Sequence, residues 1–219
     1  MANKKNIKKK KTKREIREGR EKRIRKKEQI KSEDKILKNL FIGLGIAIIA
    51  IVLIVLISNF AKNFEYEGVK FKIIKEGDLI LYQTSIPVIY QEKRVPYNFY
   101  FRNDPRDLGK DIPFEGEIEL KQILVLNSTE DFNCGGDGII AVANLLNLYK
   151  ISGIDVIKDD EAVCDSEGRY AFMKLQAGNE TSIEKFGSAC YNVNINNCEI
   201  LKALERMMLE SFIEINKLD

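Results

Sequence analysis

The stretch "LFIGLGIAIIAIVLIVLI", residues 40–57, contains 18 consecutive residues without a charged or polar side chain. Adding residues 58–61 extends the uncharged stretch to 22 residues. A helix of that length rises about 33 Å at about 1.5 Å per residue, which covers a hydrocarbon core of roughly 30 Å. We therefore predict a transmembrane helix over residues 39–61. The alternative is a buried helix of a soluble protein. We do not favour it, because the chain has no second apolar segment large enough to cover all sides of such a helix.

The two flanks of this stretch differ in charge. Residues 1–38 contain 18 Lys and Arg against 6 Asp and Glu, whereas the other 181 residues contain 18 against 27. Because basic flanks stay in the cytoplasm, we expect a cytoplasmic N-terminus and residues 62–219 outside. A cleaved signal peptide has a short basic region and an apolar stretch of about 7–15 residues. Neither feature fits, so we predict an uncleaved signal anchor in a single-pass protein of the cell membrane.

The basic cytoplasmic arm, residues 1–38, has too few apolar residues to form a core. Its acidic side chains fall among lysines and arginines at spacings that favour a solvated helix. We expect the arm to set the topology and to contact anionic lipid headgroups, at about 1 kcal/mol per basic residue near the surface. Nucleic-acid binding is an alternative that we do not favour, because the arm has no aromatic side chain for base stacking.

Residues 62–116 are predicted to be a β-rich extracytoplasmic segment. Val69, Phe71 and Ile73 alternate with lysines, and Lys75–Asp78 has the composition of a turn. All four prolines lie between residues 87 and 113, which favours edge strands and fixed turns. Further strands are predicted at Leu79–Tyr82, Pro87–Tyr90 and Val95–Phe101.

Residues 117–219 are predicted to be an α/β body with the order β-α-β-β-β-α, a sheet with two covering helices. The first strand–helix–strand unit implies a parallel pair with a right-handed crossover. The third and fourth strands flank "AGNE", which favours an antiparallel hairpin, and the last helix has one strongly apolar face. The whole chain is therefore assigned to the α+β class. The elements are a strand at Leu120–Leu126, a helix at Gly138–Ile151, strands at Ile154–Ile157, Tyr170–Gln176 and Thr181–Phe186, and a helix at about Cys198–Ile215.

The chain contains no histidine. This excludes Ser-His-Asp and Cys-His catalytic arrangements, H-E-x-x-H metal sites and every histidine-dependent zinc site. An enzyme would have to use carboxylates, lysine or cysteine alone. We therefore favour a non-enzymatic protein without a cofactor or metal, and a carboxylate-dependent hydrolase is an alternative that no motif selects.

The four cysteines all follow the predicted span, on the side where disulfides persist. They contain no C-x-x-C pair, which argues against a zinc site, so we predict two disulfides. The element order favours Cys134–Cys164, since both residues follow parallel strands, and Cys190–Cys198, which would close a local loop. The second pairing fails if residues 191–195 form a strand, because a disulfide requires Cα atoms within about 7 Å.

The segment "DFNCGGDGII", residues 131–140, places Cys134 at a helix start. The order of elements over about residues 119–215 resembles the minimal thioredoxin-like fold. That resemblance implies a thiol-redox enzyme using Cys134, whose pKa a helix N-terminus would lower. This sequence departs from the family because Asp137 stands where the second cysteine belongs. The glycines could instead form an anion cradle, or Asp137 could cap the helix, and we favour the cap.

The segment "FRNDPR", residues 101–106, predicts either a loop with an Asp-Pro turn and internal ion pairs or a ligand contact. The contacting residues would be Arg102, Asn103, Asp104 and Arg106. Together with "CGGDG" at 134–138, this segment resembles uncharacterised membrane-anchored proteins of archaea, a resemblance that implies no activity.

Two further patterns lie beyond the span. Residues 158–168, "KDDEAVCDSEG", are acidic enough for Ca²⁺ but lack EF-hand spacing, so we predict a solvated loop. Asn127 and Asn179 lie in N-x-S/T sequons and are candidates for glycosylation. Together the patterns predict a membrane-anchored extracytoplasmic binding or assembly module, clipped by two disulfides, whose partners are the lipid bilayer and an unidentified extracytoplasmic protein.

Overall fold

The computed structural model describes residues 38–56 and 62–218. Helix α1 spans Lys38–Leu56, and its apolar stretch is not buried inside the protein. Among the described residues it is the one helix long and apolar enough to cross a membrane. The predictions for the basic arm and for the end of the span fall on residues 1–37 and 57–61, outside the described part. The chain divides into two compact units, Met1–Asn59 and Phe60–Asp219.

The second unit begins with a four-stranded antiparallel sheet in the order β1-β2-β3-β4. Its strands confirm the predicted β-rich segment, and the predicted turn separates β2 from β3. The sequence pattern divided β3 into two short strands, whereas the structure has one strand of 12 residues. The strands are β1 (Asn63–Tyr66), β2 (Val69–Glu76), β3 (Leu79–Tyr90) and β4 (Lys93–Phe101).

The prolines of this sheet occupy positions where they break no central ladder. Strand β3 pairs with β2 only as far as Gln83, and beyond that residue it pairs with β4 alone. Pro87 and Pro96 face each other in this two-stranded ribbon. Pro105 is the first residue of helix α2 (Pro105–Asp111), a position where the missing N–H has no intrahelical partner.

A six-stranded sheet with the order β5-β9-β10-β8-β6-β7 forms the rest of the unit. Strands β10, β8, β6 and β7 run parallel, while β9 is antiparallel to β10. The predicted strand–helix–strand unit is present, since α3 connects the parallel neighbours β6 and β7. The remaining elements are β5 (Phe114–Glu115), β6 (Ile123–Ser128), α3 (Asp137–Ile151), β7 (Asp155–Lys158), β8 (Ala171–Ala177), β9 (Ser182–Gly187), β10 (Cys190–Ile195) and α4 (Ile200–Leu218).

Strand β10 overturns two predictions. The sequence pattern did not predict this strand, so β8 and β9 were expected to pair as a hairpin. In the structure β10 lies between them, and the predicted order β-α-β-β-β-α is one strand short. Residues 191–195 are therefore extended, which carries Cys190 far from Cys198. The pairing Cys134–Cys164 and Cys190–Cys198 is wrong. The disulfides are Cys134–Cys198 and Cys164–Cys190, with Cα separations of 5.5 and 5.8 Å.

The two faces of this sheet are covered differently. Helices α3 and α4 pack on one, the helix face, where alternate residues of β6, β8 and β10 such as Leu126, Met173 and Val193 are buried. The opposite face, the loop face, is covered in part by residues 159–170, a segment without regular secondary structure whose Cys164 is joined to Cys190 of β10. Parallel sheets usually carry helices on both faces, so the loop face is an exception.

Helix α4 is the centre of the unit. The sequence predicts one apolar face starting near Cys198, but the helix starts at Ile200, and its opposite face is buried as well. That second face meets the four-stranded sheet, where the ring of Phe212 lies 5.3 Å from Phe99 and 5.9 Å from Phe101. Burial on both sides explains why this helix also encloses the polar residues Glu205 and Arg206.

Candidate functional site

The carboxyl ends of the parallel strands border a concavity. Strand β6 ends at Ser128, β7 at Lys158 and β8 at Ala177, and the loops that leave them start at one edge of the sheet. In sheets of this kind, ligands bind in the crevice outside these ends. The crevice holds about 740 Å³ and is bounded by α3, by residues 128–133 and by the ends of β6 to β8. We call it the carboxyl-edge cleft.

One wall of the carboxyl-edge cleft is an apolar stripe on α3. Ile139, Val142, Ala143 and Leu146 recur at spacings of three and four residues, which places them on one side of the helix. Ile139 is 67% exposed, so nothing in the described chain covers it. The sequence pattern shows α3 as apolar nearly all round. In the structure Ile139, Ala143 and Leu146 of this stripe are exposed, whereas Val142 also packs against the core.

The opposite wall is residues 128–133, held in place by hydrogen bonds to β8 and within the segment itself. The carbonyl of Leu175 accepts from both the N–H and the hydroxyl of Thr129, each at 3.2 Å. The Ser128 hydroxyl donates to the carbonyl of Glu130 at 2.7 Å. Gly138 allows the loop to approach the helix, because a Cβ there would lie 1.7 Å from the Phe132 carbonyl oxygen. The wall is therefore preformed.

The mouth of the cleft is acidic. Glu130, Asp131 and Asp160 line it, with Lys158 as the one basic lining residue. The Lys158 ammonium lies 3.9 Å from the Asp160 carboxylate, which also accepts from the Ser128 N–H at 3.2 Å. An apolar floor of Leu126, Leu175 and Ile200 under a negative rim favours a ligand that is apolar at one end and positively charged at the other.

The two residues of the Cys134–Cys198 disulfide are close in sequence to two lining residues of the cleft, Asn133 and Ile200. Cys134 begins the 3₁₀ turn before α3, and Cys198 lies two residues before α4, so the bond ties the starts of both helices together. Gly135 and Gly136 have φ of 68° and 102°, which lets the chain turn sharply from the cysteine into the helix. All four cysteines are bonded, and Cys134 has its partner 64 residues away rather than in a C-x-x-C pair.

Asp137 does not cap α3 as the sequence predicts. It is the first residue of the helix, and its carboxylate accepts from the Arg102 guanidinium at 3.2 Å. Its negative charge still stabilises the positive end of the helix dipole. The glycines before it thus serve the turn that follows Cys134.

The FRNDPR segment binds a buried carboxylate on α4. Glu205, 1% exposed, accepts from the backbone N–H groups of Arg102 and Asn103 at 2.6 and 3.0 Å, and from the Asn103 amide at 2.7 Å. Burial raises the pKa of Glu205 to about 7, although these three donors oppose the shift. Sequence analysis missed Glu205, because it is one acidic residue within a helix that has several.

The rest of the segment is also engaged within the chain. The Asp104 carboxylate accepts from the Arg106 N–H and guanidinium, and this hydrogen bonding lowers the pKa of Asp104. The Arg106 guanidinium lies 4.3 Å from the centre of the Phe64 ring. None of Arg102, Asn103, Asp104 and Arg106 lines the carboxyl-edge cleft, and their role as ligand contacts stays a prediction.

The two sequon asparagines differ in placement. Asn127 is 6% exposed, and its amide donates to the carbonyls of Asp160 and Ala162 at 2.9 and 3.1 Å, so it has no room for a glycan in the folded chain. Asn179 is exposed next to β9.

The acidic loop is organised by Asp165, whose pKa the hydrogen bonds from Arg169 lower to about 2. Within residues 38–56 and 62–218, no group of three metal-ligating side chains converges.

Comparisons of the chain with family models, with curated proteins and with solved structures found no match.

Proposed function

We propose that the chain is a membrane-anchored, extracytoplasmic binding module whose carboxyl-edge cleft captures a basic segment of a partner protein through one or two apolar side chains. The observation that carries this proposal is the combination of an uncovered apolar stripe on α3 with an acidic mouth above it. The cleft size lies within the range of ligand sites, about 300–1,000 Å³.

Three features support the anchoring and the side of the membrane. Helix α1 is long and apolar enough to span a bilayer. The basic flank before it favours a cytoplasmic N-terminus by the positive-inside rule. Both disulfides lie after it, in keeping with an oxidising compartment. Protease added to intact cells should degrade the part after α1 and leave the basic arm protected, and protection of the folded unit instead would contradict this topology.

The charge of the partner follows from the electrostatics of the mouth. Three carboxylates face one ammonium there, so a positively charged segment approaches favourably and an acidic one is repelled. Apolar burial against the α3 stripe and the floor would supply most of the affinity, at roughly 25 cal/mol per Å² removed from water, before the costs of association. We therefore expect the α3 stripe to determine the affinity for the partner and the acidic mouth to determine the selectivity.

The test uses the full chain in zwitterionic nanodiscs with both disulfides intact. The probe is a tetrapeptide, Lys-Bpa-Leu-Lys, whose benzophenone residue crosslinks to its neighbours under light, and the control probe is Glu-Bpa-Leu-Glu. We expect the basic probe to crosslink within α3 and residues 128–133, as mapped by mass spectrometry. The acidic probe should give several-fold less product.

Paired variants identify the surface that binds the probe. Ile139→Asp places a charge on the α3 stripe, and Ile89→Asp makes the same change at a 79% exposed position on the β3–β4 ribbon. Only Ile139→Asp should abolish crosslinking. Equal crosslinking of both variants, or equal labelling by the two probes, would show that the cleft is not a site for basic segments.

A further inference from the structure

A second concavity lies on the loop face of the six-stranded sheet, next to the carboxyl-edge cleft but on the other side of the strands. It holds about 660 Å³ between residues 160–164 and the outward side chains of β6, β8 and β10. The Cys164–Cys190 disulfide fixes the loop wall to the sheet, so the space between them is preformed. Its lining is polar, in contrast to the apolar floor described above.

The register of the strands arranges these polar side chains in rows. Glu184 of β9 stands opposite Asn192 of β10, which stands opposite Lys174 of β8. In the next row Ser182 and Gln176 flank Asn194 in the same way. We call these six residues the polar platform. Adjacent strands lie about 4.8 Å apart, so each row across three strands is about 10 Å long.

The two rows differ in their hydrogen bonding. In the row of Ser182, Asn194 and Gln176, most side-chain hydrogen-bonding groups are bonded to other platform residues. The Gln176 amide donates to the Asn194 side-chain oxygen at 2.9 Å, and the Asn194 amide donates to Ser182 and Glu184 at 3.0 and 3.1 Å. The side chains of Asn192 and Lys174, which both line the cavity, have no hydrogen-bond or ion-pair partner among the described residues. Their donors and acceptors are free to bind a ligand.

An aromatic ring borders the platform. Phe186 of β9 is 49% exposed and lines the cavity, and its ring meets Phe172 edge-on with centroids 6.3 Å apart. The ring is supported by Phe172 from within the sheet, while its remaining surface faces the cavity. An apolar plate beside free amide groups can hold a molecule that has apolar C–H faces and polar edges.

The balance of charge selects the kind of ligand. Lys174 is outnumbered by Glu184 on the platform and by Asp160 and Glu161 on the loop wall, so the cavity disfavours an anion. These carboxylates also accept hydrogen bonds from neutral hydroxyl groups. Amides that both donate and accept match vicinal hydroxyl groups, which also do both. A neutral saccharide has these hydroxyls on its edges and C–H groups on its faces.

We propose that this polar platform is a saccharide-binding site, in which Asn192 and Lys174 bind ring hydroxyls and Phe186 stacks on a sugar face. The row length suits a short oligosaccharide rather than a single ring. This site adjoins the carboxyl-edge cleft and shares Thr129 and Asp160 with it, but it lies on the other face of the sheet and does not depend on the function proposed for the cleft.

The experiment titrates the full chain, in nanodiscs with both disulfides intact, with chitotetraose and with maltotetraose by isothermal calorimetry. At least one should bind. Asn192→Ala and Phe186→Ala should each weaken that binding about tenfold or more, the size expected when one good hydrogen bond or stacking contact is lost. The matched control Asn98→Ala removes an exposed asparagine from the β3–β4 ribbon and should leave the affinity unchanged.

Two results would overturn the proposal: no heat from either saccharide, or binding that both Asn192→Ala and Phe186→Ala retain. Ile139→Asp, which blocks the carboxyl-edge cleft, should keep full saccharide affinity. Failure of basic-peptide crosslinking and failure of saccharide binding are therefore separate outcomes.

Discussion

The helix face and the loop face of the six-stranded sheet are held by different interactions. On the helix face, α3 and α4 bury long apolar side chains, and Tyr149 and Ser211 share a hydrogen bond of 3.1 Å between the two helices. On the loop face, residues 159–170 are held by a disulfide, by two hydrogen bonds from Asn127 and by a small apolar cluster, in which Ala162, Cys164 and Tyr170 pack on Val125, Phe172 and Cys190. Extensive apolar burial thus supplies the scaffold on one side, whereas the small cluster and the covalent restraint on the other leave the polar platform open.

The largest contrast is expected between two phenylalanines. Phe212→Ala removes a fully buried ring that joins α4 to the four-stranded sheet, and the resulting cavity should lower the free energy of unfolding by about 3–5 kcal/mol. Phe186→Ala on the loop face should cost under about 1 kcal/mol, because half of its ring is already exposed. Guanidinium chloride unfolding of the full chain, followed by circular dichroism, measures both. Equal losses would show that the loop face contributes as much stability as the buried junction between α4 and the four-stranded sheet.

The two disulfides should differ in how much each stabilises the folded chain and in how much of the chain each protects from hydrogen exchange. In the chain-entropy description, a closed loop of 64 residues stabilises by about 4.3 kcal/mol and one of 26 residues by about 3.5 kcal/mol. Replacing Cys134 and Cys198 by alanine should therefore cost more than replacing Cys164 and Cys190. Hydrogen exchange adds a second criterion: loss of Cys164–Cys190 should raise exchange in residues 159–170 and leave α3 and α4 protected. Global deprotection in that variant would contradict a locally acting clip.

The buried Glu205 predicts how stability depends on pH. Its pKa is about 7 in the folded chain against 4.5 for the free side chain, so between these values the folded state keeps a proton that the unfolded state has lost. The free energy of unfolding should therefore fall as pH rises from about 4.5 to 7, by up to about 3 kcal/mol. The chain has no histidine to add a titration in this range.

Denaturation of the wild type and of Glu205→Gln at several pH values isolates this effect. Glu210, whose pKa burial also raises, contributes with the same sign in both proteins. The difference between the two proteins should change with pH and level off above about 7. A difference independent of pH would mean that Glu205 is ionised throughout, held by its three donors.

A smaller effect than those of the disulfides and of Glu205 is expected at Asn127, which ties the loop to the sheet. Asn127→Ala removes two hydrogen bonds to loop carbonyls and should cost about 1–2 kcal/mol. Hydrogen exchange should increase in residues 159–163 only. Asn179→Ala, at an exposed sequon, serves as the control and should leave exchange in that loop unchanged.

The sequence allowed some of this architecture to be predicted because the relevant signals are local. Alternation of Val69, Phe71 and Ile73 predicts β2, and the apolar period of α4 predicts a helix. Strand β10 was missed because "CYNVNI" alternates apolar residues with asparagines, which are typical of loops. Its insertion between β8 and β9 is a long-range choice that no local pattern encodes, and the disulfide pairing depends on it.

The candidate sites were harder to predict than the fold. The FRNDPR segment stood out in the sequence because of its charges, yet those charges are engaged with Glu205, Asp137 and each other. Ile139 and Asn192 gave no signal, because an isoleucine in a helix or an asparagine near a strand is ordinary until its exposure is known. What marks these residues is the absence of a covering partner within the described chain, which only the three-dimensional arrangement reveals.

The disulfide connectivity is nested, since Cys134–Cys198 encloses Cys164–Cys190. If the chain crosses the membrane from its N-terminal side, Cys134 and Cys164 emerge first, and their proximity in sequence favours a non-native bond between them. The native partner of Cys134 emerges last, 21 residues before Asp219. Oxidative maturation then either waits until Cys198 is accessible or reshuffles an early bond, and the second route requires thiol–disulfide exchange.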